Sequence, residues 1–199
     1  MMVQSDETLA LKTLKGDLEA FEELVNRYQK PVFKIAYRMV GQREEAEDVC
    51  QEIFLTVYQK MHQFDPAKKF SPWLYKVAVN TSISRLRRKK KVVLLNFDDP
   101  SSRQIEYMHS ELDDPLLHIE QEELRQELSE ALLKMPEGYR AMIILRYQLD
   151  LTNGEIAEAL SMNKENVEVK MHRARKLLRK ILLETVAEGR LLYELRPGK

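Results

Sequence analysis

The sequence predicts an all-α protein: two small helical domains joined by a flexible acidic linker, the C-terminal one carrying a helix-turn-helix. Three observations predict it. Apolar residues recur at spacings of three and four over most of the 199 residues, and no alternating strand pattern occurs. Only 6 Gly and 7 Pro punctuate the chain. Between about Val92 and Pro115 the helical periodicity disappears and acidic residues take over.

The first helix is expected from Asp17 to Met39. Leu18, Phe21, Leu24, Val25, Tyr28, Val32, Ile35 and Met39 form its apolar stripe, Asp17 is its N-cap and Gly41 its C-terminal stop. Pro31 lies inside this pattern and should kink it, because proline lacks the N–H and crowds the preceding turn. A second helix is expected from near Arg43 to near His62. A third starts at Ser71, with Pro72 in the first turn where its missing N–H costs nothing. The linker spans 92–115 and contains Asp98-Asp99-Pro100 and Asp113-Asp114-Pro115; its apolar run Val92–Leu95 is a candidate docking segment. Helices resume near Leu116 and continue to about Leu183. The expected domains are therefore 1–91 and 116–183, followed by a tail, 184–199, with no assigned role.

Charge totals mislead here. The 32 basic and 32 acidic residues cancel, yet they are segregated in blocks. No acid falls between Arg85 and Lys91, Arg103 is the lone base between Asp98 and Glu123, and every charge from Lys170 to Lys180 is basic. The single cysteine, Cys50, excludes an internal disulfide framework and suits a reducing compartment. No apolar run reaches the length of a membrane span, and the N-terminus lacks the order of a secretory signal. A soluble, cytoplasmic protein is expected.

The stretch Phe64–Lys91 sets four aromatics (Phe64, Phe70, Trp73, Tyr75) beside six cations (Arg85, Arg87, Arg88, Lys89, Lys90, Lys91). Aromatic faces stack on unpaired bases and cations neutralise phosphates, so the pair suits a locally opened DNA strand. On the third helix, Trp73, Val77, Asn80, Ser84, Arg87 and Lys91 share a stripe whose far end is polar and basic. Trp73, Tyr75, Val79 and Leu86 read as core; Asn80 and Arg87 read as DNA contacts. Phe64 is either the wall of a base pocket or a loop anchor.

Residues Leu151–Lys180 read LTNGEIAEALSMNKENVEVKMHRARKLLRK. Thr152 and Glu155 make a capping box that opens a short helix whose buried face is Ile156, Ala157 and Leu160. Ser161-Met162-Asn163 is a tight turn. On the next helix Val167, Met171, Ala174 and Leu178 form an apolar stripe, with Glu168, Val169, His172, Arg173 and Lys176 off it. A short helix, a turn and a basic amphipathic helix make a helix-turn-helix, although a plain helical hairpin has the same outline. In the second predicted helix, Ala46, Val49, Cys50, Ile53 and Val57 face inward, while Asp48, Gln51, Glu52 and Leu55 share a neighbouring edge. Glu44, Glu45 and Glu47 read as a solvated face. The edge is either more of that face or a docking surface for a basic partner helix. The four His are scattered, and no metal-ligand spacing or Gly-rich phosphate loop occurs, so no metal or other cofactor is expected.

Taken in order, three segments resemble a bacterial sigma factor of the extracytoplasmic-function group of the sigma-70 family. They are GDLEAFEELVNRYQKPVFKIAYRMVG, EEAEDVCQEIFLTVYQKMHQFDPAKKFSPWLYKVAVNTSISRLRRKK and, after the acidic linker, LLKMPEGYRAMIILRYQLDLTNGEIAEAL with VKMHRARKLLRK. The resemblance covers about Gly16 to Lys180. It implies a non-catalytic protein that binds core RNA polymerase, directs it to promoters and helps open them, and that is held in check by an anti-sigma factor. It assigns Asp48, Gln51, Glu52 and Leu55 to a coiled coil of the largest polymerase subunit. Phe64, Lys69, Asn80, Ser84, Arg87 and Arg88 fall to −10 DNA, and Asn166, Glu168, Val169, His172, Arg173 and Lys176 to −35 DNA. One departure stands out. The family usually has Lys or Arg after the valine matched by Val167, then a small residue and Arg; this chain has Glu168, Val169 and Lys170. Glu168 either reads a base edge or pairs with His172 or Lys176. A stand-alone helix-turn-helix regulator is the alternative, and it leaves Phe64–Lys91 and the acidic edge without a role.

Overall fold

The computed structural model describes residues 4–95 and 126–194, with side chains over 4–89 and 126–185. The first unit comprises α1 (Asp6–Leu14), α2 (Leu18–Val40), α3 (Arg43–Lys60), a 3-10 turn (Met61–Gln63) and α4 (Phe70–Leu95). The second comprises α5 (126–134), α6 (Glu137–Tyr147), α7 (Asn153–Ala159) and α8 (Lys164–Glu194). No strand occurs among the described residues. Most of the linker, from residue 96 on, lies outside them, as does the expected restart of helix near Leu116.

Local signals set the boundaries of α2. Asp17 Oδ1 accepts the Ala20 N–H at 3.0 Å, and Gly41 adopts φ 83° while donating to the Tyr37 carbonyl at 2.8 Å. The helix continues through Pro31. Leu24, Val32, Ile35 and Met39 from α2 pack with Val49, Ile53 and Val57 from α3 and Phe70, Leu74 and Val79 from α4.

Helix α1 precedes the first expected helix. Ser5 caps it by accepting the Thr8 N–H at 3.2 Å, but its purpose is tertiary. Asp6 accepts from Arg27 at 2.7 Å and from the Tyr28 hydroxyl at 2.5 Å. Burial and that carboxylate together push the Tyr28 phenol well above its usual pKa. Glu7 Oε1 accepts the Phe70 N–H at 3.0 Å and so satisfies a free donor at the start of α4, one residue before the expected Ser71. At its other end α4 runs to Leu95, so Val92–Leu95 continue a helix past the expected boundary at Lys91.

The two units are packed together, and their buried residues form one contiguous cluster. Arg140 on α6 is 6% exposed. Its guanidinium donates to the Met39 carbonyl at the end of α2, and to the Leu133 and Met135 carbonyls at 2.6 and 3.0 Å at the end of α5. Carbonyls at helix C-termini lack intrahelical partners and carry partial negative charge, so a cation is the natural group to gather them. Gly41 lies under the same corner: a Cβ there would sit 2.6 Å from Leu133 Cδ1, and its left-handed φ already disfavours any other residue.

Arg140→Leu leaves three carbonyls at this corner without their donor. We expect a stability loss on the order of 3 kcal/mol in urea unfolding. A loss below about 1 kcal/mol would mean that water replaces the guanidinium freely.

Candidate nucleic-acid interface

α3 and α4 face one another with opposite charge. Glu45, Asp48 and Glu52 follow at three and four on α3, and on α4 Arg88 and Lys89 lie three and four residues after Arg85. Lys89 Nζ lies 2.7 Å from Glu45, Arg88 lies 2.5 Å from Glu52, and Arg85 reaches Glu45 and Asp48 at 3.8 and 3.7 Å. Glu45 therefore departs from the expected solvated face: its side chain is only 10% exposed beneath two cations. Glu44 and Glu47 are exposed as expected, and Glu47 pairs with Arg43 along the helix. Asp48, Gln51 and Leu55 lie outward, with Leu55 65% exposed. Arg87 is exposed and forms no ion pair among the described residues, unlike Arg88.

Three of the four aromatics of Phe64–Lys91, namely Phe64, Phe70 and Trp73, form a cluster, and Tyr75 meets Tyr28 instead. Phe64 stands edge-on to Phe70 at 5.4 Å and tilts against Trp73 at 5.5 Å between centroids. Phe64 is 4% exposed and packs into this cluster while also lining the cavity beside it, an arrangement that fits either of its two open roles. Next to it lies a cavity of about 490 Å³. Phe64, Trp73, Asn80, Ser84 and Glu52 line it, so residues assigned to −10 DNA and to polymerase share one depression. Lys76 lines it too and was missed, although its spacing of four from Asn80 and eight from Ser84 puts it on their face.

In the second unit, Thr152 Oγ1 accepts the Glu155 N–H at 3.3 Å, and Glu155 Oε2 accepts the Thr152 N–H at 3.0 Å. This is the predicted capping box. Hydrogen bonds donated by the Thr152 N–H and then its hydroxyl, followed by Lys69, hold the Glu155 carboxyl below its usual pKa. Ile156 and Ala159 are buried, while Ala157 and Leu160 are half-buried, so Ala159 replaces them as the deeper contact. Ser161 turns the chain with φ 52°. Val167, Met171 and Ala174 are buried as expected, and Leu178 is half-buried. Asn166, Glu168, Val169, His172, Arg173 and Lys176 are all exposed. Glu168 accepts from Asn153 Nδ2 at 3.2 Å and pairs with neither His172 nor Lys176 among the described residues.

The units also meet across the loop before α4. Lys69 lies 3.2 Å from Glu155 and Lys68 lies 3.6 Å from Glu158. Lys69, assigned to DNA, is thus held by the first helix of the helix-turn-helix, although its side chain stays 74% exposed.

A helix-turn-helix with an exposed mixed face, packed beside a unit with a basic helix and an aromatic-backed depression, is the architecture of a helical DNA-binding protein. Residues 24–92 match the family model for sigma-70 region 2, and residues 125–178 that for sigma-70 region 4. The chain is 35% identical over 175 residues to the ECF RNA polymerase sigma factor SigW of Bacillus subtilis, covering 84% of this chain and 91% of that one. It is 29% identical over 184 residues to the ECF RNA polymerase sigma-E factor of Escherichia coli K12, covering 87% and 92%. Its fold resembles the sigma factor RpoE of Bartonella quintana, solved with the anti-sigma factor NepR, at TM-score 0.65 and 19% identity over 81% of this chain and 96% of that one. CnrH, solved with the cytosolic domain of CnrY, gives TM-score 0.63 at 23% identity over 90% and 97%. The chain belongs to the extracytoplasmic-function sigma factors of the sigma-70 family. It binds core RNA polymerase and directs it to promoters for transcription initiation. The stand-alone regulator alternative fails on the region 2 match.

The capping box gives a prediction with a defined sign. A carboxyl whose folded pKa is lowered stabilises the fold fully above the ordinary glutamate value, and this contribution is lost as pH falls through the lower folded value. Thr152→Ala should cost about 1 kcal/mol at neutral pH. The gap to the parent should narrow in acid, read from urea unfolding at both pH values.

Proposed function

We propose that this sigma factor docks on core polymerase through the outward edge of α3. The observation that carries this reading is Leu55, an apolar side chain left 65% exposed beside Asp48, Gln51 and Glu52. An apolar centre ringed by acids fits a basic partner helix. The internal ion pairs of Asp48 and Glu52 are partly exposed and worth about 0.2–1 kcal/mol each, so a better-buried partner can displace them.

The depression beside α4 is the −10 surface. Asn80, Ser84 and Lys76 face the opened strand, Arg87 and, once released from Glu52, Arg88 follow its phosphates, and Lys69 joins them when the loop parts from α7. Phe64 supports this surface from below, and a base entering the depression would meet its edge. The exposed face of α8 reads −35 DNA, with Arg173 and Lys176 supplying affinity. The protein itself catalyses no reaction and works in the cytoplasm; no described helix is long and apolar enough to cross a membrane. An anti-sigma factor, as NepR is for the Bartonella quintana relative, would act by covering these surfaces.

Truncating one side of a desolvated charged contact costs about 2–5 kcal/mol. Asp48→Ala and Glu52→Ala should therefore weaken co-elution with core polymerase while helical circular dichroism is unchanged. Binding at the parent's strength by both variants would leave this edge a solvated surface. Asn80 is exposed, so Asn80→Ala should spare both fold and core binding. It should reduce permanganate reactivity of unpaired −10 thymines by severalfold.

A further inference from the structure

The departure at Glu168 has a structural partner outside the recognition helix. Arg146, in the last turn of α6, donates through Nη1 to the Leu151 carbonyl at 2.7 Å and through Nη2 to Asn153 Oδ1. Asn153, the first residue of α7, donates through Nδ2 to Glu168 Oε1 at 3.2 Å. A guanidinium only donates and a carboxylate only accepts, so the amide between them has one workable orientation. Flipping it would set NH₂ against the guanidinium and oxygen against the carboxylate.

One Glu168 oxygen is thereby tethered. The other, Oε2, has no hydrogen-bond partner among the described residues, and the residue is exposed beside Val169, itself 52% exposed. We infer that Asn153, oriented by Arg146, is a positioning residue for −35 specificity: it holds the Glu168 carboxylate so that its free oxygen accepts from a base amine in the major groove, cytosine N4 by preference. Glu168 then selects a base at a place where an untethered acid would mainly repel phosphate. Arg146 and Asn153 act through Glu168 and need not touch DNA. This inference rests on the reading of α8 as the −35 element.

The chemistry predicts an order of preferences that a plain structural tie does not. In Glu168→Gln, Asn153 Nδ2 still donates to the side-chain oxygen, and the new NH₂ turns outward as a donor. The preferred base should change to one presenting an acceptor, such as guanine. When Asn153→Asp is combined with Glu168→Gln, the introduced aspartate still accepts from Arg146 and now also accepts from the glutamine NH₂. The glutamine oxygen then faces out, and preference should return to cytosine. Asn153→Asp alone sets two carboxylates together and should lower discrimination at that position roughly tenfold.

The experiment is selection of promoters from a library randomised at −35, using the full chain assembled with core polymerase. Circular dichroism and unfolding midpoints confirm each fold. Cytosine for the parent, an acceptor base for Glu168→Gln and cytosine again for the double variant support the inference. The same base for Glu168→Gln and the double variant removes Asn153 from the reading. Parental preference in Glu168→Gln removes Glu168 and Asn153 together. A parent holoenzyme that selects no −35 sequence overturns the −35 assignment of α8 itself. Glu168 is exposed, so its single variant can still overturn the inference even if Asn153→Asp folds poorly.

Discussion

The guanidinium of Arg140 closes two helix ends at once, and the relation between the two units depends on it. The C-termini of α2 and α5 both present carbonyls to a space that water barely reaches. Without a donor there, each buried carbonyl would carry a desolvation penalty of about 1–3 kcal/mol. With it, the α5–α6 corner seats on the end of α2, and Gly41 lets Leu133 come close. That seating brings α7 against the loop before α4. The far side of the interface is much weaker, because Lys68 and Lys69 meet Glu158 and Glu155 as exposed pairs worth about 0–1 kcal/mol each. The strong end of the contact therefore lies away from the proposed −10 surface, and the weak end lies next to it.

Charge organises the first unit in the same graded way. The protein is neutral overall, but its acids and bases are arranged so that α3 and α4 satisfy one another. Glu45 is the least exposed member of this set and reads as structural, with Arg85 and Lys89 above it. Asp48 and Glu52 lie further out and exchange partners at lower cost. Burial, more than residue type, separates the carboxylate that holds the fold from those proposed to meet a partner.

Elements whose causes are local were legible in the sequence. The caps of α2, the capping box of α7 and the buried stripe of α8 each depend on residues a few positions apart, and each appears where the spacing put it. Elements whose causes are tertiary were not. Helix α1 has nine residues and is tied down by Arg27, Tyr28 and Phe70, none of them visible from its own pattern. Glu45 read as solvated because its cations lie some forty residues on. Arg140 gave no signal, since a lone arginine on an amphipathic helix ordinarily faces water. In the candidate site the residue types were readable but not their state: Phe64 packs into the cluster and Lys69 is engaged by Glu155. The tie from Asn153 to Glu168 joins two helices and was invisible to a search along one.

The central claim is that this chain turns core polymerase into a promoter-specific enzyme. Mapping transcription starts made on genomic DNA by core polymerase, with and without the purified protein, tests it most directly. New starts are expected with the protein present, each preceded by the same two sequence blocks near −10 and −35. Identical start sites in both reactions, with active core polymerase and folded protein, would contradict it.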